Sequence, residues 1–298
     1  DVFKGVKTTA YYPYNDRSWT LDRLQDYGGN ITWIPWNPVT GNTEKRDLSI
    51  CDVTVDNQTY EYDGKAKTPK VTVKDGDLLL EAGQDYTVTY MDNINAGTAK
   101  IKVQGTGEYG GNYESEFVIS KIKNNITASN ITKTTLTKAQ RTTVGAKVKG
   151  NAKLTYSSDN KSVKVSSSGR ITIAAKFTGT ARITIRSAAT VNYLAASKVI
   201  TVKVNPAGTS ISKVTKPSAT KAALIWKKNS YVSGYEIQYS TDRKFRSGVK
   251  TRKISKSSST KLTISGLKKN KTYYFRIRTY KNIGKVKYVS SWSSSKKK

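Results

Sequence analysis

Side chains able to do covalent or metal chemistry are scarce in these 298 residues: one cysteine, Cys51, and no histidine. A catalytic thiol needs a base or cation beside it in a partly exposed site. Cys51 instead stands in Ile50-Cys51-Asp52-Val53, where strand-like alternation begins, and reads as a small core residue. One cysteine without histidine makes neither a zinc site nor an internal disulfide. No glycine-rich phosphate loop opens a helical pattern. Paired carboxylates would suit glycoside hydrolysis, and acidic residues gather at Asp75, Asp77, Glu81, Asp85 and Asp92. Asp75-Gly76-Asp77 is, however, a turn signal, so these read as solvated turn carboxylates. A calcium ion takes about six oxygens, and Asp75, Asp77 and Asp92 or Asn93 would offer only some of them. The expectation is no catalytic residue, no metal and no cofactor.

Charge and aromatic surface remain. The net charge is +31, unevenly placed. Residues 1–47 balance at zero, and residues 48–122 carry 7 basic and 12 acidic side chains, net −5. Residues 123–205 carry 15 and 1, net +14, and residues 206–298 carry 24 and 2, net +22. Such a field attracts polyanions of any kind and is not specific to nucleic acid. Within the most basic segment, Tyr273 to Tyr280 alternates with period 2. Tyr273, Phe275 and Ile277 share one face; Tyr274, Arg276, Arg278 and Tyr280 share the other. Arginine interleaved with tyrosine on an outer face is a candidate ligand-facing stripe, able to stack on sugars or bases. The competing reading is cross-strand pairing, with Glu236 and Gln238 beside Arg276 and Arg278; an exposed Glu–Arg pair is worth about 0.2–1 kcal/mol. Over Lys244 to Lys271, solvated outer faces likewise compete with a grip on an anionic polymer. No Arg-Gly-Asp tripeptide occurs.

The elements that position these residues read as strands. Tyr, Thr, Val and Ile recur in alternating runs of three to six residues separated by Gly and Asx turns, the pattern of β-sandwiches. Leu21 to Tyr27 is the only short helix candidate. No apolar run approaches the roughly 18 residues of a membrane span, and no leader or sorting motif is visible. The start at Asp1-Val2-Phe3 suggests a fragment or a mature C-terminal part. The linkers Lys121 to Asn124 and Asn205-Pro206-Ala207-Gly208 are too short to act as flexible coil, so the modules are expected to stack as a semi-rigid rod.

Four resemblances follow from particular residues. Trp226, then Tyr235-Glu236-Ile237-Gln238-Tyr239, Leu267, and Tyr273-Tyr274-Phe275-Arg276-Ile277 resemble a fibronectin type III domain, with a strand-B Trp, a Tyr-x-Ile-x-Tyr strand C and a Leu leading into strand F. Tyr62-Asp63-Gly64, Pro69, Gly83-x-Asp85-Tyr86, Tyr90, Asn93-x-Asn95-Ala96-Gly97-Thr98, Gly105-x-Gly107-x-Tyr109-x-Gly111 and Phe117 resemble the "YDG"-type Ig-like modules of Gram-positive surface proteins. Tyr156-Ser157-Ser158-Asp159-Asn160, Val163-x-Val165, Gly169-x-Ile171 and Gly179-Thr180-Ala181-x-Ile183-Thr184-Ile185 resemble a group 2 bacterial Ig-like domain, with Tyr156 where that family often has Trp. Tyr11-Tyr12-Pro13, Trp19-Thr20, Tyr27-Gly28-Gly29 and Thr32-Trp33 resemble the last repeat and cap of BspA-type leucine-rich repeats; an irregular aromatic arm packed on the next module is the alternative.

The resulting expectation is all-β: a leucine-rich-repeat cap over 1–47, Ig-like sandwiches over 48–121 and 122–206, and a fibronectin type III domain over 207–298. The resemblances imply a monomeric, non-enzymatic stalk or adhesion segment of a secreted or cell-surface bacterial protein, projecting an upstream leucine-rich-repeat domain. Its expected partner is an anionic wall polymer, such as a teichoic-acid-like polyphosphate, or a host glycan or protein; specific nucleic-acid binding is not expected. Accessory modules of a secreted glycan-active enzyme are the runner-up.

Overall fold

A computed structural model describes residues 2–298, and its fold is all-β. Among the described residues the helical turns are two three-residue 3-10 segments, Leu21–Arg23 and Leu48–Ile50. The helix candidate at Leu21 to Tyr27 thus shrinks to a single turn. Tyr27 and Gly28 adopt φ +46° and +87°, a left-handed pair that cannot continue a helix. Among the described residues no helix is long and apolar enough to cross a membrane. The chain divides into two compact units: residues up to Lys123 with Ala189–Leu194, and Asn124–Ala188 with Ala195–Lys298.

In the first unit Lys7–Pro13 pairs in parallel with Asn30–Trp36, Lys7 opposite Asn30. The Trp19 ring packs between Tyr12 and Trp33, with centroids 6.0 and 5.8 Å away. A sandwich follows. One sheet has the order Thr59–Glu61, Asn112–Ser120, Gly97–Gly105, Tyr86–Met91; the other has Asp52–Val55, Val71–Asp75, Leu78–Leu79. Alternation explains the core: Ala99, Ile101 and Val103 are fully buried, while Lys100 and Gln104 between and beside them stay exposed.

The second unit holds two further sandwiches. The first pairs the sheet Ile131–Thr134, Ala196–Asn205, Gly179–Ser187, Leu154–Ser158 with Gln140–Thr143, Arg170–Ile173, Val163–Val165. Its core is Val163, Ile171, Ile173, Ala181, Ile183, Ile185, Val202 and Val204, each with 0% exposure. Tyr156 packs at the edge of that core, its ring over Gly169, where an added Cβ would meet Cζ at 3.0 Å. The last sandwich sets Ile211–Ser218, Lys221–Trp226, Lys261–Ile264 against Lys250–Ile254, Gly234–Ser240, Tyr274–Ile283, Val286–Val289, with Lys296–Lys297 also on Tyr274–Ile283. Trp226, Tyr235, Ile237, Tyr239, Phe275 and Ile277 fill it, and the Trp226 and Tyr235 rings meet edge to face at 5.4 Å.

Candidate functional site

The stripe on Tyr274–Ile283 is fixed by register. This strand runs antiparallel to Gly234–Ser240, with Arg278 opposite Glu236, Arg276 opposite Gln238 and Tyr280 opposite Gly234. Phe275 and Ile277 are buried, so the even positions face the outer side. There Gln238 Oε1 accepts from Arg276 Nε at 2.9 Å and Nη2 at 2.6 Å. Glu236 Oε2 accepts from Arg278 Nε at 2.7 Å, and its Oε1 pairs with Lys287. The Arg276 guanidinium lies 4.1 Å from the Phe245 ring centroid and 4.8 Å from that of Trp292, and Arg278 lies 4.4 Å from Trp292. Both arginines are therefore already stacked and hydrogen-bonded within the domain, the cross-strand arrangement that competed with the ligand stripe. Burial raises the Glu236 carboxyl, but hydrogen bonds from Lys287 and Arg278 outweigh it and hold the group below its usual range. Burial, helped by the Arg278 charge, lowers Arg276.

The structure corrects the expected exposure of Tyr280. It faces the outer side as the alternation requires, yet it is only 2% exposed. Its ring carries the ammonium groups of Lys253 and Lys287, each 5.1 Å from the centroid. Long lysine stems cover what period 2 alone leaves open. Tyr274, at the other end, stays half-buried and lines a recess of about 230 Å³ with Arg243, Ser295 and Lys297. Arg276 and Arg278 thus come together, Tyr280 is covered beside them, and Tyr274 stays half-buried on the same strand face. Sequence reasoning missed Phe245 and Trp292. Phe245 is delivered by a turn in which the Asp242 carboxylate accepts from Lys244 N at 2.8 Å and Arg246 N at 2.7 Å. A lone Trp292 inside the serine run Ser290–Ser295 was the available signal.

Around this face the cations go unbalanced. Residues 124–298 hold 38 Lys and Arg against three side-chain carboxylates, Asp159, Glu236 and Asp242. Asp159 accepts from Arg182 N at 2.7 Å, Asp242 closes its turn, and Glu236 takes Arg278 and Lys287. Each carboxylate is committed to the fold, and among the described residues Arg278 and Lys287 are the only cations of this unit paired with one.

The first unit corrects a second expectation. Asp75 is not a solvated turn carboxylate: it is 3% exposed and forms a bidentate pair with Arg46, itself 4% exposed. The turn is real, with Gly76 at φ +59° and Asp75 opposite Leu78. The alternation that buries Val71 and Val73 also turns Asp75 inward. Tyr109 Oη donates to Asp75 Oδ2 at 3.1 Å, and the Tyr12 ring lies 5.7 Å from the Arg46 guanidinium. Burial works against the Arg46 charge, but the carboxylate outweighs it and raises the guanidinium further. Cys51 lies nearby, 4% exposed, and burial, with Asp75 adding to it, pushes its thiol up to about 12. Such a thiol is not a nucleophile near neutral pH. Among the described residues no cluster of three or more His, Cys, Asp or Glu is placed to hold a metal.

Residues 205–295 match the fibronectin type III domain family, the region holding the Trp226–Tyr280 motif. No curated protein matches the chain. Among solved structures, similarity extends to domains A168–A170 of titin (11% identity, TM-score 0.34, 83% of this chain and 98% of that one). It extends also to the FN1–FN3 domains of chicken CNTN1 (11%, 0.28, 83% and 96%) and to extracellular domains 3–5 of Drosophila OTK (12%, 0.31, 65% and 68%).

Proposed function

We propose that this chain is a non-catalytic stalk segment of a bacterial cell-surface or secreted protein. Its basic second unit holds an anionic polymer, and its sandwiches space an upstream leucine-rich-repeat domain away from that polymer. The modules are a cap over 1–47, Ig-like sandwiches over 48–121 and 122–206, and the fibronectin type III domain over 207–298, acting as a monomer. The cap reading is supported by the parallel pair Lys7–Pro13 and Asn30–Trp36. Lys7 faces Asn30, an offset of 23 residues, and a 3-10 turn lies between, the layout of one leucine-rich-repeat coil.

The observation that carries the polymer reading is the unbalanced charge: of the 38 Lys and Arg in residues 124–298, Arg278 and Lys287 alone among the described residues pair with a carboxylate, and the three carboxylates there are already used by the fold. Lys and Arg at that density neutralise phosphates and release counterions. The test is binding of the full chain to purified poly(glycerol phosphate) at rising salt. If about four phosphates are neutralised, affinity falls on the order of 50-fold between about 50 and 200 mM salt. Equal binding at both ends of that range would sink the electrostatic reading.

A further inference from the structure

A cleft of about 610 Å³ opens in the second unit beside the segment Asn205–Ser210, within the range of about 300–1,000 Å³ typical of ligand sites. One wall is Thr135–Thr137; the other is Lys227–Tyr231. Its floor is pinned. Thr209 Oγ1 donates to the Lys227 carbonyl at 2.7 Å, Asn229 Nδ2 donates to the Ala207 carbonyl at 2.8 Å, and Pro206 is buried. Thr135 Oγ1, 4% exposed with its residue, contacts Thr178 Oγ1 at 2.6 Å and is spent internally. Thr137, Ser210 and Ser230 line the cleft as exposed residues, so their hydroxyls are open to a ligand, and among the described residues the exposed Lys227 and Lys228 pair with no carboxylate. Lys176, outside the lining, lies 5.2 Å from the ring centroid of Tyr231, which lines the cleft. No carboxylate lines the cleft.

Cations, free hydroxyls and one tyrosine, without acid, reject an apolar ligand and suit a hydroxyl-rich anion. We propose that this cleft is the seat of the anionic chain, taking a short segment of an acidic carbohydrate or polyol polymer. The acidic group lies at Lys227 and Lys228, and the ligand hydroxyls lie on the Thr and Ser side. The inference rests on the polyanion reading above and deepens it: a diffuse field accepts charge anywhere, whereas a cleft accepts it at one place.

The test compares full-length variants against two probes, a glycerol-phosphate oligomer and an oligogalacturonate, by calorimetry at fixed moderate salt. Lys227→Glu with Lys228→Glu reverses the cleft cations. Lys268→Glu with Lys269→Glu makes the same charge change at an exposed turn away from the cleft. Ser230→Trp fills the cleft at constant charge. The expected result is a loss of about tenfold or more for the cleft pair and for Ser230→Trp, and about threefold or less for the turn pair, with melting temperatures unchanged. The probe that binds more tightly distinguishes a phosphate from a carboxylate source. Equal losses for the two lysine pairs, with Ser230→Trp binding normally, overturn the cleft and leave the diffuse field standing. Binding of neither probe by the unaltered chain overturns both.

Discussion

Replacing Asp75 with Asn tests the most consequential interaction that the structure reveals. The change keeps shape and removes charge. It leaves Arg46, 4% exposed, without its carboxylate, and Arg46 Nη1 already lacks a hydrogen-bond partner. The new amide nitrogen would also set a donor against Arg46 or Tyr109, which both donate to Asp75 now. Removing one partner of a buried ion pair costs about 3–5 kcal/mol. The remaining amide oxygen still accepts one hydrogen bond, so the lower end, about 3 kcal/mol, is expected. For a unit of this size that lowers the melting transition by about 10 °C. Scanning calorimetry of the full chain carries its own control, because the second unit lies outside the pair and its transition should stay in place. Asp77→Asn, at the exposed neighbour, should change stability by no more than about 0.5 kcal/mol. If Asp75→Asn behaves like Asp77→Asn, Asp75 is a solvated turn residue after all and the burial argument fails. A double change to Leu at 75 and Met at 46 should recover much of the loss, since apolar residues of similar volume often replace a buried pair without penalty.

Three further outcomes follow from the same geometry. Cys51 should resist iodoacetamide at pH 8 in the native chain and react fully in denaturant, because burial pushes its thiol up to about 12; rapid native labelling would show the site open. Gly234→Ala should cost about 1–3 kcal/mol in the second unit, since the new Cβ would press on the Ile254 carbonyl and meet Tyr280 Oη at 2.9 Å; wild-type stability with an unchanged tyrosine near-UV signal would refute that close approach. Glu236 is held below its usual range in the fold, so the unfolded chain binds its proton first as pH falls. Its contribution is therefore complete above the ordinary carboxylate range and lost as pH drops through the folded value. Glu236→Gln should flatten the acid limb of the second unit's melting temperature, and an acid limb identical to wild type would count against the triad.

The residues that made the fold readable are those whose role depends on local alternation. Trp226, Tyr235, Ile237, Phe275 and Ile277 fall on the core face because a strand has period 2, and neighbours along the chain suffice to show it. Arg46 and Tyr109 escaped because they meet Asp75 across 29 and 34 residues of sequence. Nothing local marks an arginine as a buried partner, and a Gly-containing turn hides the inward direction of Asp75. The burial of Tyr280 was missed for a related reason: period 2 gives the face of a residue but not what neighbouring strands lay over it. Lys253 and Lys287 come from two different strands, and register alone brings them to one ring. The cleft was illegible too, since its walls are joined only by tertiary packing of the second unit.

The charge asymmetry is not a requirement of the architecture. The sandwich within residues 48–122 has the same two-sheet build and carries net −5, with Glu114 and Glu116 exposed on Asn112–Ser120. Residues 206–298 reach net +22 on a comparable frame. Self-repulsion at that charge works against compactness, and scattered acidic substitutions on exposed strand faces would relieve it at little structural cost. Instead acid survives in the second unit at only three positions, each where a turn, a backbone amide or a cross-strand arginine needs it. A solvated surface under no other constraint would mix the two signs. The proposed grip on an anionic polymer draws on this pattern: most cations of the unit stand without a carboxylate partner, and each of its three carboxylates is satisfied internally.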